Sequence, residues 1–552
     1  MQIIKSFLVS LLFVSPICLH AQSTYFEQGS KDNVLLNRLE IKMQKDTILN
    51  FSFLKPYNRK WFTGAIKRAQ ASGIAFSTVA QYNMQHALMN NMEWLGDTSR
   101  VRASKRSILN SFYKDPVNLV TVRQKEFFLA INPVLQLKSI YDNNTDGMLY
   151  LNTRGARVRS VIGNKIAIDA YLTETQEKAP LFVQQKVEQY RAVPGAGLYK
   201  RFKGTGYDYF DARGTMSWNV SKYIDAQFGY DKMFLGNGYR SLFFSDYSNS
   251  HLFLNLNLHA SRFNYVTRFM ELTSQYTRRT DKDTLFPRKY AVVHHLSFNA
   301  PKWLTLGLFE SIVFGRPDHF EFSYLNPVMF LRVAELQLGS PDNSFIGFDA
   351  KANVGKHAQV YGQVLLDEFN LTYVRQKNGW WGNKWAFQGG LKYMDVFGIN
   401  NLDLQLEANY IRPFTYSHFD TIGNYTHYNQ PLAHPLMSNI KEYIGIVRYQ
   451  PAPKWMLQGK VISWVAGSDP AGQNYGNNIF RSNDTRSANF GLYYGAPNSI
   501  KTINANFWVS YELKENLFLE ADLSSRKQQG NSNNVFSSVG LRWNMQRREY
   551  DY

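Results

Sequence analysis

The sequence predicts an all-β protein, an antiparallel transmembrane outer-membrane β-barrel of about 18 strands, preceded by a small helical region. Three observations carry this. After the first 21 residues nothing approaches the roughly 20 consecutive apolar residues of a membrane helix, so a helical spanner is excluded. Apolar and polar residues alternate with a period of two over many segments, the signature of strands with one apolar face. Finally, short connections between those segments alternate with long ones, the asymmetry of periplasmic turns and extracellular loops.

Taken in chain order, residues 1–21 combine Lys5, an apolar run from Phe7 to Val14 and a Leu19-His20-Ala21 cleavage site, as a secretory leader does. Cys18, the one cysteine, lies inside this leader, and Ile17 before it argues against lipidation. The exported chain would then hold no thiol, which excludes disulfides and cysteine-based metal sites or nucleophiles. Residues 22–120 switch to helical spacing. Trp61, Ala65, Ile66 and Ala69, then Phe76, Ala80, Met84, Ala87 and Leu88, mark two helices broken at Gly73. This unit is read as a periplasmic cap or a plug of the barrel; it either serves structure alone or offers a site to a periplasmic partner.

Residues 121–552 form the predicted barrel. Leu402, Leu404, Leu406, Ala408 and Tyr410 alternate with Asp403, Gln405, Glu407 and Asn409. The same pattern runs through 254–260, 503–510 and 517–524. Strands begin near Phe127, and the last runs from Val535 to Trp543, leaving Met545 to Tyr552 as a periplasmic tail. Tight turns fall near 163–165, 221–222, 260–262, 300–302, 355–357, 396–400, 451–454 and 514–516. Long connections span 176–206, 232–250, 276–289, 314–345, 370–381, 413–439 and 467–501. Trp303 and Trp455 each follow an Ala-Pro-Lys turn and suit an interfacial aromatic girdle. A spanning sheet must close to satisfy its backbone, and a charge facing mid-bilayer costs about 2–4 kcal/mol, so the polar sides should line a hydrated interior.

Chemistry-bearing motifs are sparse. No HExxH helix, GxSxG elbow, P-loop or GxGxxG fingerprint occurs, and no cofactor is expected. His294 and His295 are neighbours on a strand, so they point to opposite faces and cannot share a metal. His427 and His434 fall in one loop. The net charge of +19 includes a basic loop with Lys178, Lys186, Arg191, Lys200, Arg201 and Lys203 against Glu177 and Glu188. Such a loop attracts lipopolysaccharide phosphates or anionic glycans; nucleic acid is not an expected partner.

The segment from Gly229 through Asp231, Lys232, Phe234, Gly236, Gly238, Tyr239 and Arg240 to Leu242 resembles a signature of the capsule-assembly Wzi family. The likeness is greatest to its Bacteroidota branch, which includes the gliding-motility protein RemB. Three further segments agree: 325–343 with Arg332, Glu335 and Asp342; Leu366 to Phe369; and Asn429 to Pro435. The resemblance implies an 18-stranded outer-membrane barrel that holds capsular or exopolysaccharide at the cell surface, or serves adhesion or gliding, without catalysis. Two other classes stay open, a diffusion channel and, less favoured, a barrel hydrolase. Within the loops, Gly236 and Gly238 allow a sharp turn that leaves backbone amides exposed, and Asp231, Lys232, Arg240 and Asp246 offer charge-assisted contacts. Phe234, Tyr239 and Tyr324 either stack on sugar rings or pack. Arg332, Glu335 and Asp342 are expected to join Asp231, Arg240 and Asp246 in one internal ion network. Alternatively these residues only fold the loop back into the lumen.

Overall fold

The computed structural model describes residues 23–26, 29–95, 112–113, 115–163, 165–274, 285–316, 319–328 and 330–552. The predicted leader, Asn164 of one turn and most of the 276–289 connection lie outside them.

Eighteen antiparallel strands close on themselves. They are β1 Phe127–Asp142, β2 Leu149–Ile162, β3 Ile166–Lys178, β4 Gly206–Asn219, β5 Ile224–Asp231 and β6 His251–Ala260. Next come β7 Phe263–Thr273, β8 Arg288–Asn299, β9 Leu304–Phe314, β10 Asn343–Val354, β11 Ala358–Glu368 and β12 Lys384–Tyr393. The last six are β13 Leu402–Ile411, β14 Ile440–Tyr449, β15 Trp455–Ser468, β16 Asn498–Lys514, β17 Leu517–Gln528 and β18 Asn534–Trp543. Closure is made where β18 pairs with β1, from Trp543 opposite Leu135 to Phe536 opposite Asp142. No strand edge is left for lipid to meet, which is the condition for a sheet to cross a bilayer.

The alternation sorts itself as predicted. Leu402, Leu404 and Leu406 face outwards, while Asp403, Gln405, Glu407 and Asn409 are buried inside. Trp303 and Trp455 stand exposed at the short-turn end. The exterior is therefore an apolar belt around a polar lumen, and the chain is a protein of the bacterial outer membrane. Polar residues interrupt the belt in two places: Arg154 pairs with Glu174 at 3.1 Å on the outer face, and Thr267, His294 and Glu310 also point outwards.

The lumen is filled from three directions. At the short-turn end, the periplasmic end in such barrels, sit α1 Lys31–Met43, α2 Arg59–Ala71 and α3 Thr78–Asn90. Ser30, Asn58 and Ser77 cap them by accepting from backbone amides three residues on. Leu36, Leu39, Phe62, Ile66, Met84 and Ala87 form their common core. α1 escaped the sequence reading, since Asp32, Asn33, Arg38 and Glu40 are buried along it and blur the apolar stripe. Those polar residues face the barrel: Arg38 binds Asp395 at 2.7 Å and also Asp403, Lys42 binds Asp395 at 2.5 Å, and Glu40 binds Lys351 at 2.6 Å.

From the opposite end, the 232–250 connection folds inwards. Phe234–Leu235 pairs with Leu54–Lys55 of the helical unit, and Leu242, Phe243 and Phe244 bury themselves against β6–β10 in an apolar core. The third contribution corrects the sequence reading. Residues 545–552 do not hang in the periplasm; after β18 the chain reverses and climbs through the lumen. Arg547 lies over Trp508, the Tyr550 carbonyl accepts from Asn504 at 3.1 Å, and the Tyr552 carbonyl accepts from Arg526 near the far end of β17. The period-two pattern simply stops at Trp543, and nothing local tells an inward from an outward turn.

Candidate functional site

One cavity of about 500 Å³ remains in the polar half of the lumen. Its floor is the helical unit, one wall is the 232–250 connection, and the others are β1–β4, β13–β18 and the 545–552 segment. Ten arginines and two lysines line it against six carboxylates. A low-dielectric chamber with this excess of cations focuses a positive potential and favours an anionic occupant.

Nine of these twelve cations are already paired with carboxylates, some of them just behind the lining. Arg548 binds Glu177 at 3.2 Å, Arg547 binds Glu549, and Arg240 lies 3.5 Å from both Glu442 and Asp551. Arg240 also donates to the Asp551 carbonyl at 2.6 Å, and Lys460 holds Asp551 at 2.6 Å. These pairs lock 545–552 in place. Arg448 differs: it donates to the amide oxygens of Gln458 and Gln405, at 3.1 and 3.2 Å, and pairs with no carboxylate among the described residues. Arg59 donates to the Tyr25 carbonyl at 3.1 Å and to Asn91 at 2.9 Å, lies over the Phe26 ring, and likewise pairs with no carboxylate among the described residues. Burial, reinforced by Arg159 and Arg157, pushes its pKa down to about 9. Lys232 donates to the Gly195 and Asp246 carbonyls at 2.6 and 3.2 Å, and burial together with Arg213 lowers it to about 8. Both shifts record mainly the cost of burying a charge, to which the neighbouring cations add. Tyr209, Tyr239, Tyr247 and Trp508 supply ring faces among them.

Of the predicted residues, Lys232, Phe234, Tyr239, Arg240 and Asp246 line this chamber, and Asp231 borders two smaller voids beside it. Their roles divide. Phe234 is packed under Lys55, 4.8 Å from its ring. The Tyr239 hydroxyl bonds Glu549, Asp551 and Lys460. The amides after Gly238 are not exposed: those of Tyr239 and Arg240 donate to Glu407 at 2.6 and 3.0 Å. A Cβ on Gly238 would fall 2.6 Å from Glu407 Oε2, so glycine permits this close approach to the wall.

The expected single ion network is two clusters. Asp342 takes Arg316 through both oxygens at 2.7 Å and the Tyr324 hydroxyl at 2.7 Å. Arg332 and Ser340 bind Glu335. All six residues sit in the 315–342 connection on the outer wall, away from Asp231, Arg240 and Asp246. The histidines also separate. His294 meets Glu310 outside at 3.0 Å and His295 meets Asp349 inside at 2.6 Å. His427 bonds Ser250 and Thr273, whereas His434 bonds Glu442. In the basic loop, Lys186 lies half-buried over the Tyr552 ring, Glu177 turns into the lumen, and Lys200, Arg201 and Lys203 stay exposed.

Sequence reasoning missed Arg213, Arg448, Arg542, Arg547 and Arg548. Parity along β4, β14 and β18 places the first three inside, but which inward residues share one chamber is set by strand order around the ring. The last two ride on the segment misread as a tail.

The fold and its filled lumen define an outer-membrane β-barrel whose interior holds a basic chamber. No family model matches the sequence, and no curated protein matches it. Among solved structures the chain is similar to Wzi of Escherichia coli, an outer-membrane protein involved in group 1 capsule assembly and described as a carbohydrate-binding β-barrel. The likeness covers 96% of this chain and 100% of that one, at 13% identity and a TM-score of 0.57. OprD of Pseudomonas aeruginosa shares 12% identity over 75% of this chain and 93% of its own, with a TM-score of 0.41. For OccAB4 of Acinetobacter baumannii the values are 11%, 76%, 98% and 0.40.

Proposed function

We propose that the chain is a non-enzymatic outer-membrane protein that binds or anchors an anionic capsular or exopolysaccharide at the cell surface. The observation that carries this reading is the pair of lumenal guanidinium groups, Arg448 and Arg59, that meet no carboxylate among the described residues and are held by neutral acceptors. Its volume of about 500 Å³ suits a terminal or branch sugar bearing a carboxylate or phosphate. Guanidinium groups recognise such groups through paired hydrogen bonds. Wzi, similar in fold, is described as binding carbohydrate, which supports the same ligand class here. The diffusion-channel reading is weakened by the helices, the 232–250 connection and the 545–552 segment that together occupy the lumen. In the branch that residues 229–242 resemble, such anchoring would serve gliding or adhesion.

A deletion strain scored for cell-bound polysaccharide and for surface spreading tests this. Loss of bound polysaccharide is expected, with loss of spreading if anchoring drives motility. Unchanged values for both would end the proposal.

A further inference from the structure

Across β7–β10, Thr267 lies opposite His294, His294 opposite Glu310, and Glu310 opposite Ile346. Directly opposed residues share a face of the sheet. Ile346 is 51% exposed on the exterior, so Thr267, His294 and Glu310 also project from the outer wall. Glu310 stands four residues below the top of β9, about 13 Å along the strand. A carboxylate facing hydrocarbon there is costly. Yet all three polar residues are buried.

Their cover is the 315–342 connection, which descends the outside of the barrel instead of standing above it. Glu310 accepts from the backbone N–H of Phe330 at 2.6 Å and of Leu331 at 3.0 Å, and Thr267 donates to the Pro327 carbonyl at 3.3 Å. Tyr324 and Leu331 pack on Val292, Ile312 and Phe314. The reverse side presents Phe322, Val328, Phe330, Val333 and Leu336, between 52% and 75% exposed, with Ser323, Asn326, Gln337 and the Glu335-paired Arg332 as its exposed polar residues.

Irregular backbone survives at membrane depth only where its polar groups are satisfied by protein. Glu310 and Thr267 provide that for the Phe330 and Leu331 amides and the Pro327 carbonyl, and the helix Leu331–Gln337 provides it for its own turns. We propose that 320–328 and 330–338 form a re-entrant limb immersed in the outer leaflet, with its exposed side chains bound by the acyl chains of the surrounding lipid. The occupant follows from continuity, because this apolar surface runs directly into the lipid-facing belt of Leu308, Ile346 and Phe348. The inference is independent of the polysaccharide reading.

Spin labelling tests it in the full barrel, in phosphatidylcholine vesicles, with Cys18 replaced by serine. A nitroxide on Val333→Cys is compared with one on Leu308→Cys in the belt and one on Asp484→Cys in an exposed loop. The expected result is oxygen accessibility matching L308C and nickel-chelate accessibility about tenfold below D484C, because a hydrated chelate is excluded from hydrocarbon. Accessibility like that of D484C would overturn the proposal. So would strong dipolar broadening between V333C labels, which would assign the surface to a second copy. Glu310→Ala in the same background should restore nickel access to V333C; unchanged access with the barrel intact would refute the anchoring by Glu310.

Discussion

Arg448 is a lumenal cation whose described partners are only neutral amides, and it can be changed without breaking an ion pair. Arg448→Gln should leave the barrel folded and weaken binding of an acidic polysaccharide about tenfold, the worth of one charge-assisted hydrogen bond. Titration of the purified protein in detergent reads this, and a neutral polysaccharide should be indifferent to the change. His86 on α3 sits 2.9 Å from both Glu512 and Glu515, with Lys31 2.8 Å from Glu512. Burial opposes its charge, but the hydrogen bonds to Glu512 and Glu515 prevail and raise its pKa above 6.5. A raised histidine contributes stability that is whole below about pH 6.5 and fades as pH rises through the folded pKa. Protection factors of the α3 amides, corrected for the intrinsic pH dependence of exchange, should therefore be higher at pH 6 than at pH 8.5, and His86→Gln should abolish the difference. The parity of Arg448 could be read from its strand, whereas the meeting of His86 with Glu512, more than 400 residues later, could not be read from local pattern.

Among elements, the strands were the legible part, because a half-buried strand advertises itself every second residue. β1 begins at the predicted Phe127, and β18 ends at the predicted Trp543. α2 and α3 were legible through their apolar stripe, and α1 was not, because its buried face carries charge for the barrel wall. Arg38 is the centre of that face. Arg38→Ala leaves Asp403 buried without its cation and should weaken docking of α1 by about 3–5 kcal/mol, the cost of breaking a buried pair from one side. Faster exchange across α1 with an intact β-sheet signal would report it. The 545–552 segment is held by Arg240, Lys460 and Glu177 through its own Asp551, Glu549 and Arg548. Its removal should widen the chamber without unfolding the barrel, since β18 keeps its pairing with both β17 and β1.

For the whole molecule, an 18-stranded ring is wide enough to carry water, and what closes it is the matter packed inside. The intact protein should give no large steady current in planar bilayers, and removal of residues 23–94 should produce one. The central claim is that this basic lumen holds an anionic surface polysaccharide. Calorimetric titration of purified protein with acidic polysaccharide from the producing strain, in wild type and Arg448→Gln at low and high salt, tests it most directly. The account predicts saturable binding that weakens with salt and with the substitution; absence of binding, or binding unmoved by either change, would contradict it.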